Sequence, residues 1–167
     1  MIIAQAEKED LKKILELQKL AFRLQAEIYN DYSIPPLIQT LENIKQDFLY
    51  QTYLKAVIKE KIIGSVRGYE DNNTCYIGRL IVHPNHQNQG YGMKLMHKIE
   101  SLFNNAERYE IFTGHKSEKN LYLYQKLGYK EFNLKKINVN LNLVYLEKLN
   151  ESPSRSGNFK ELFRIIK

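Results

Sequence analysis

Residues 80–92 read Leu-Ile-Val-His-Pro-Asn-His-Gln-Asn-Gln-Gly-Tyr-Gly, an apolar strand running into a glycine-punctuated turn. Beyond it, from Met93 to Asn105, Leu95, Met96, Ile99, Leu102 and Phe103 recur at the spacing of one helix face. Gly90 and Gly92 allow a tight turn and a close backbone approach, and the first N–H groups of a helix have no partner inside it. A strand, a glycine turn and a helix N-terminus in that order form an anion site, with phosphate as the natural guest. The apolar face packs the helix on a sheet and holds that site still.

Spacing separates this pattern from two other phosphate-binding ones. A Walker loop needs Lys-Ser/Thr after its last glycine, and here Met93 and Lys94 follow Gly92. A dinucleotide fingerprint needs a third glycine three residues after the second, and that position is Leu95. What remains, Gln87-x-x-Gly90-x-Gly92 after a strand ending Val82-His83-Pro84, resembles the acetyl-CoA pyrophosphate loop of the Gcn5-related N-acetyltransferase (GNAT) family. Residues 112–129, Phe-Thr-Gly-His-Lys-Ser-Glu-Lys-Asn-Leu-Tyr-Leu-Tyr-Gln-Lys-Leu-Gly-Tyr, are similar to that family's second signature: a strand, a loop, and a helix ending Leu-Tyr-x-Lys-x-Gly-aromatic. Gly128 is placed to end the helix in a left-handed conformation, with Tyr129 packing back on its last turn.

The resemblance implies an α/β fold of the acyl-CoA N-acyltransferase type, a mixed sheet of about seven strands flanked by helices. It spans residues 1–149, followed by a linker and short amphipathic helix over 150–167. It also implies acetyl transfer from acetyl-CoA to a primary amine by direct attack, with no metal. Backbone groups of Leu80, Ile81 and Val82 would bond the pantetheine arm, while their side chains serve as core. Gln87, Asn88, Gln89, Gly90, Tyr91, Gly92 and Met93 would cover the pyrophosphate. Asn120 matches a polar position that touches the cofactor, and Lys126 is placed for the nucleotide phosphate, although a surface lysine explains it equally. Tyr124 is the proton donor to the departing thiolate. A phenol titrates near pH 10, so it holds its proton at neutral pH. The alternative is an aromatic packed against the sheet, as expected of Tyr122.

The general base is where the chain departs from the family. Relatives carry an acidic residue early in the central strand; the matching position here is Tyr76, and no carboxylate lies between Cys75 and Val82. Glu70 is the candidate base, with Asp71 beside it, and the base stays unassigned. His83 and His86 titrate in the right range, but their place beside Pro84 argues for a structural role. Cys75 reads as a buried strand thiol, since nothing nearby in sequence lowers its pKa. Arg79, among apolar neighbours, needs a partner: an acidic substrate group, or solvent at a sheet edge.

Length and composition agree with one globular domain: 167 residues, 43% hydrophobic and 26% charged. No N-terminal signal pattern or membrane-length apolar stretch appears, so a cytoplasmic location is expected. One cysteine forbids an internal disulfide and, with four scattered histidines, offers no metal cluster. The formal charge of +6 suits a protein that binds an anion. Nucleic acid satisfies that charge as well as coenzyme A does, but gains nothing from the two motifs.

The hydrophobic pattern places strands at Ile2–Ala6, Tyr53–Lys59, Ile62–Tyr69, Cys75–Val82, Tyr109–Thr113, Lys130–Val139 and Leu141–Leu149. Helices fall at Leu11–Ile28, just after Pro35-Pro36, and at Met93–Asn105 and Glu118–Lys126, with Leu11, Ile14, Leu15, Ala21, Leu24 and Ile28 marking the first helix's apolar face. Glu60-Lys61 is the expected hairpin turn. The strand-helix-strand unit from 75 to 113 is a crossover, which makes its strands parallel. In the tail, Phe159, Leu162, Phe163 and Ile166 recur at helical spacing and fit docking on the same domain or on a second copy in a homodimer. So short a helix binds membranes weakly, and no membrane partner is expected. The acceptor regions of the family offer Glu27, Tyr29, Tyr32 and an asparagine-rich turn. A catalytically weak acyl-CoA-binding module is the rival reading, which the missing strand carboxylate permits.

Overall fold

The computed structural model describes residues 1–151. Seven strands form a single sheet in the order β1-β2-β3-β4-β5-β7-β6: β1 is Ile2–Gln5, β2 Thr52–Ile58, β3 Lys61–Asp71, β4 Thr74–Val82, β5 Arg108–Gly114, β6 Lys130–Lys136 and β7 Asn142–Leu149. Every neighbouring pair is antiparallel except β4 and β5. Those two are joined by α4 (Tyr91–Leu102), the long crossover that parallel strands require.

Alternation along the strands sends neighbouring residues to opposite faces. Tyr53 and Ile62 join Leu11, Ile14 and Ile44 on one face, under α1 (Leu11–Tyr29) and α3 (Leu41–Phe48). Leu54 and Ile63 join Leu95, Met96, Ile99 and Tyr124 on the other, under α4 and α5 (Glu118–Lys126). A buried polar cluster ties the second layer together: the Glu100 carboxylate on α4 accepts the Tyr129 hydroxyl at 2.8 Å and the Lys148 ammonium at 2.7 Å.

The expected elements are present, with differences at the margins. The segment after Pro35-Pro36 makes two helices, α2 (Pro35–Ile38) and α3; the second is started by Thr40, whose hydroxyl accepts from the Asn43 N–H at 3.1 Å. The β2–β3 turn is Lys59-Glu60, both with positive φ, one residue earlier than expected. The apolar face of α1 is divided. Leu11, Ile14 and Leu15 are buried, whereas Leu24 and Ile28 are 53% and 50% exposed because the sheet beneath that end of the helix opens into a cleft. Most of the 150–167 tail, with its amphipathic segment, lies outside the described residues.

Candidate active site

The sheet separates at its centre. β4 and β5 pair only from Thr74 to Tyr76 against Arg108 to Glu110, although β4 runs on to Val82 and β5 to Gly114. A bulge in β4 accompanies the divergence: Ser65 faces Ile81 and Arg67 faces Gly78, so Val66 spans both Arg79 and Leu80, and Arg79 takes a φ of +52°. Beyond Tyr76 the β4 backbone has no partner on the β5 side. The opening is a cleft of about 770 Å³, lined by Leu80, Ile81 and Val82. One wall is the α5 end, with Asn120, Leu123 and Lys126; the other is α1, with Phe22, Leu24 and Ile28.

The glycine loop closes one end. His83 caps a 3-10 turn over Pro84–His86, its Nδ1 accepting from the Asn85 N–H at 3.2 Å, and His86 edges the cleft. The Gln87 side chain donates to the Val82 carbonyl at 3.2 Å and pins the loop to the strand end. Asn88 and Gly90 both have positive φ, at +60° and +76°, and Gly90 is the N-cap of α4. That helix start borders the cleft through Gly90, Tyr91, Gly92 and Met93. Unpaired N–H groups and the positive end of the helix dipole make that end electropositive, and Lys116, Lys119 and Lys126 also line the cleft. Of the residues expected to hold the cofactor, Gln89 alone is outside the lining; its side chain is exposed.

On α5, Asn120 lines the cleft while its Nδ2 donates to Thr113 Oγ1 at 3.2 Å. The helix ends as its sequence requires: Gly128 has φ +91°, the Tyr129 N–H bonds the Tyr124 carbonyl at 3.0 Å, and the two rings lie 6.1 Å apart. Tyr124 itself is buried in the layer under α4 and is not among the residues lining the cleft, whereas Tyr122 is. Desolvation alone raises the Tyr124 phenol well above the usual tyrosine range, so it stays protonated. Arg79 Nε is the one fully buried side-chain polar atom without a partner among the described residues.

Glu70 does not line the cleft. It pairs with Cys75 at the closed end of β4, roughly 15 Å of strand from Leu80. The carboxylates that do line the cleft are Glu27 and Glu118. Burial, with Glu70 and Glu100 adding to it, pushes the Cys75 thiol up to about 12 and leaves it inert. Tyr29 is not free to hold a ligand: its hydroxyl accepts the Lys116 N–H at 2.7 Å and clamps the β5–α5 connection to α1. Tyr32 is exposed. The α1 wall was the part hidden in the sequence. Leu24 and Ile28 carry the same apolar periodicity as the core residues before them, and only the divergence of β4 and β5 beneath turns them into lining.

The sequence model of the acetyltransferase (GNAT) family matches residues 11–129, more than half of the chain. The chain belongs to that family. Solved structures share its fold. A protein from Streptococcus mutans UA159 superposes with TM-score 0.77 at 17% identity, over 90% of this chain and all of its own. The ribosomal-protein-S18-alanine N-acetyltransferase of Escherichia coli superposes with TM-score 0.74 at 13% identity, over 95% of this chain and 97% of its own. The PaiA N-acetyltransferase of Thermoplasma acidophilum, solved in complex with coenzyme A, gives 0.72 at 17% identity, over 89% of this chain and 99% of its own. No curated protein matches the chain by sequence. GNAT proteins are acetyltransferases that use acetyl-CoA and an acceptor, and this chain has their seven-stranded mixed sheet. Among the described residues no helix is long and apolar enough to cross a membrane.

Proposed function

We propose that this GNAT chain is a cytoplasmic N-acetyltransferase that moves the acetyl group of acetyl-CoA to a primary amine. The observation that carries the reading is the early end of β4–β5 pairing at Tyr76 and Glu110, which leaves the backbone of Leu80–Val82 facing a cleft that ends on the α4 N-terminus. The cleft fits the co-substrate in kind: unpaired strand groups for an amide-bearing arm, apolar walls, and helix N–H groups with lysines for a diphosphate. Gly90, Tyr91, Gly92 and Met93 take the diphosphate, with Asn88 and Gln87 shaping the loop around it. Asn120 orients the arm, and Lys126 meets the nucleotide end.

Acetyl-CoA supplies an activated acyl carbon and a thiol leaving group. The amine nitrogen forms the new C–N bond, the C–S bond breaks, and the sulfur takes a proton from Tyr124, whose environment keeps that proton in place at any physiological pH. The proton shed by the amine leaves through water at the open cleft and restores Tyr124. In this reading no carboxylate on the central strand is needed, provided the amine arrives neutral.

Calorimetry with acetyl-CoA, followed by thiol release with a panel of amines, tests the proposal. Binding with turnover, reduced about 100-fold by Tyr124→Phe at unchanged affinity for acetyl-CoA, is the expected result. Binding without turnover on any amine supports instead the non-catalytic acyl-CoA module, which draws on the carboxylate-free strand and on a Tyr124 set back from the lining. A basic nucleic-acid-binding domain has only net charge behind it.

A further inference from the structure

Arg79 sits where chains place glycine. It is the first residue of the β4 bulge with φ +52°, a conformation that costs a non-glycine residue about 1–2 kcal/mol. Strain of this kind, retained beside a reaction cleft, directs attention to what the side chain does. Its guanidinium lies over the Phe22 ring, 5.7 Å from the centroid, and makes no hydrogen bond or ion pair with any described residue. Nε is fully buried without a partner. Arg79 as a whole is half-buried, but a guanidinium with its Nε–H shut away from both water and protein carries a cost that an anion would relieve.

The surroundings offer one carboxylate, and it bonds other partners. Asp47 is the carboxylate that faces this region, and its Oδ2 already accepts from Arg67 Nη1 at 2.5 Å and Gln39 Nε2 at 2.6 Å. Arg67 also donates to the Tyr53 hydroxyl at 2.7 Å, and Gln39 Oε1 accepts from Gln18 at 2.8 Å. Arg67, not Arg79, therefore bonds that carboxylate, and two guanidinium groups face one negative charge. Burial first, and then Arg67, lowers the Arg79 pKa to about 10, the sign expected of a cation short of a counter-charge; the group is still fully ionised at neutral pH. Space for a ligand is present: a cavity of about 300 Å³ is lined by Arg79, Arg67, Asp47 and Asn43, together with Pro35 and Ile38 of α2. Phe22, beneath the guanidinium, and Leu80, next in the chain, both line the main cleft.

We propose that Arg79 is the specificity element of this site, binding the carboxylate of an acceptor that carries both an amine and a carboxylate, so that the amine is presented across Leu80 to the cleft. The proposal rests on the transferase reading and names the substrate class it leaves open. A planar fork of N–H donors meets a carboxylate in two parallel bonds, balancing the local charge and satisfying the orphaned Nε–H at once.

The test has two arms. In wild-type protein, the Arg79 Nε–H resonance, assigned with Arg79→Asn because asparagine tolerates the left-handed backbone, is titrated with acetate, with inorganic phosphate and with chloride at constant ionic strength. A saturable shift with acetate and none with chloride is expected; no response to acetate overturns the proposal, and a tighter response to phosphate reassigns the site to a phosphorylated ligand and overturns it equally. In the second arm, tyrosine is compared with tyramine and ornithine with putrescine as acceptors. The acids should lead by at least tenfold in kcat/KM, and Arg79→Asn should erase the lead through KM for the acid with KM for acetyl-CoA unchanged. Equal use of acids and amines defeats the Arg79 proposal while leaving the transferase intact. Failure of acetyl-CoA to bind defeats the transferase reading, and the resonance arm still decides whether Arg79 holds a carboxylate.

Discussion

Replacing Gly90 or Gly92 with alanine separates the fold from the site, because the two glycines sit two residues apart for different reasons. Gly90 caps α4 with φ +76°, and a Cβ there would meet nothing within 4 Å. Gly90→Ala therefore introduces no clash; its cost is the left-handed backbone alone, about 1–2 kcal/mol. Gly92 lies in the first turn with no such φ, and its Cβ would stand 3.4 Å from Leu123, 3.8 Å from Leu80 and 3.9 Å from Val82, all of which line the cleft. Alanine is favoured over glycine inside a helix by about 1 kcal/mol, which a tight but tolerable contact reduces rather than reverses. Gly92→Ala should leave stability unchanged or raised by up to about 1 kcal/mol. Both changes should weaken acetyl-CoA binding, Gly90→Ala by disturbing the N–H groups and Gly92→Ala by filling the floor of the cleft, each by about tenfold or 1.4 kcal/mol. Urea denaturation gives the stabilities and calorimetry the affinities. Gly92→Ala destabilising more than Gly90→Ala, or either variant binding acetyl-CoA as wild type does, refutes the reasoning.

Other consequences are equally concrete. Glu100→Ala leaves Lys148 without its 2.7 Å partner and should cost about 2–3 kcal/mol in denaturant melts, with Lys148→Met added to it recovering part of the loss. Glu70→Gln, at the closed end of β4, should leave kcat/KM unchanged at every pH; a tenfold drop would return Glu70 to the mechanism. At high pH the buried acids act against the fold. Cys75 rises from 9.0 to about 12 and Tyr109 from 10.0 to about 12, chiefly by burial, so each ionises first in the unfolded chain. Their contribution is intact below pH 9 and is lost as pH climbs towards 12, at about 1.4 kcal/mol per pH unit for each group, which urea midpoints measured from pH 8 to 11 should register.

The sequence carried the parts of this fold set by local chemistry. Gly90 and Gly128 take backbone conformations that few other residues adopt, so the loop, the helix after it, expected from Met93 and found from Tyr91, and the cap of α5 were legible from residue types. Strand alternation placed β1 to β5 and β7 to within two residues, whereas β6 ends at Lys136, three residues short of the expected Val139. What depends on distant strands was not legible. The pairing of β4 with β5 stops after three residue pairs, and no residue near Tyr76 announces it. The exposure of Leu24 and Ile28 follows from that stop, as does the distance of Glu70 from the open part of β4. Arg79 is intermediate: its isolation among apolar residues signalled an unmet need, while the bulge and the bonding of Asp47 to Arg67, which define that need, appear only in three dimensions.

A crystal structure of the protein with acetyl-CoA bound is the most direct measurement. The account predicts diphosphate oxygens within hydrogen-bonding distance of N–H groups between Asn88 and Met93, with the pantetheine arm laid along the Leu80–Val82 backbone. Coenzyme bound anywhere else on the chain, or a β4–β5 gap that closes without it, would contradict the account.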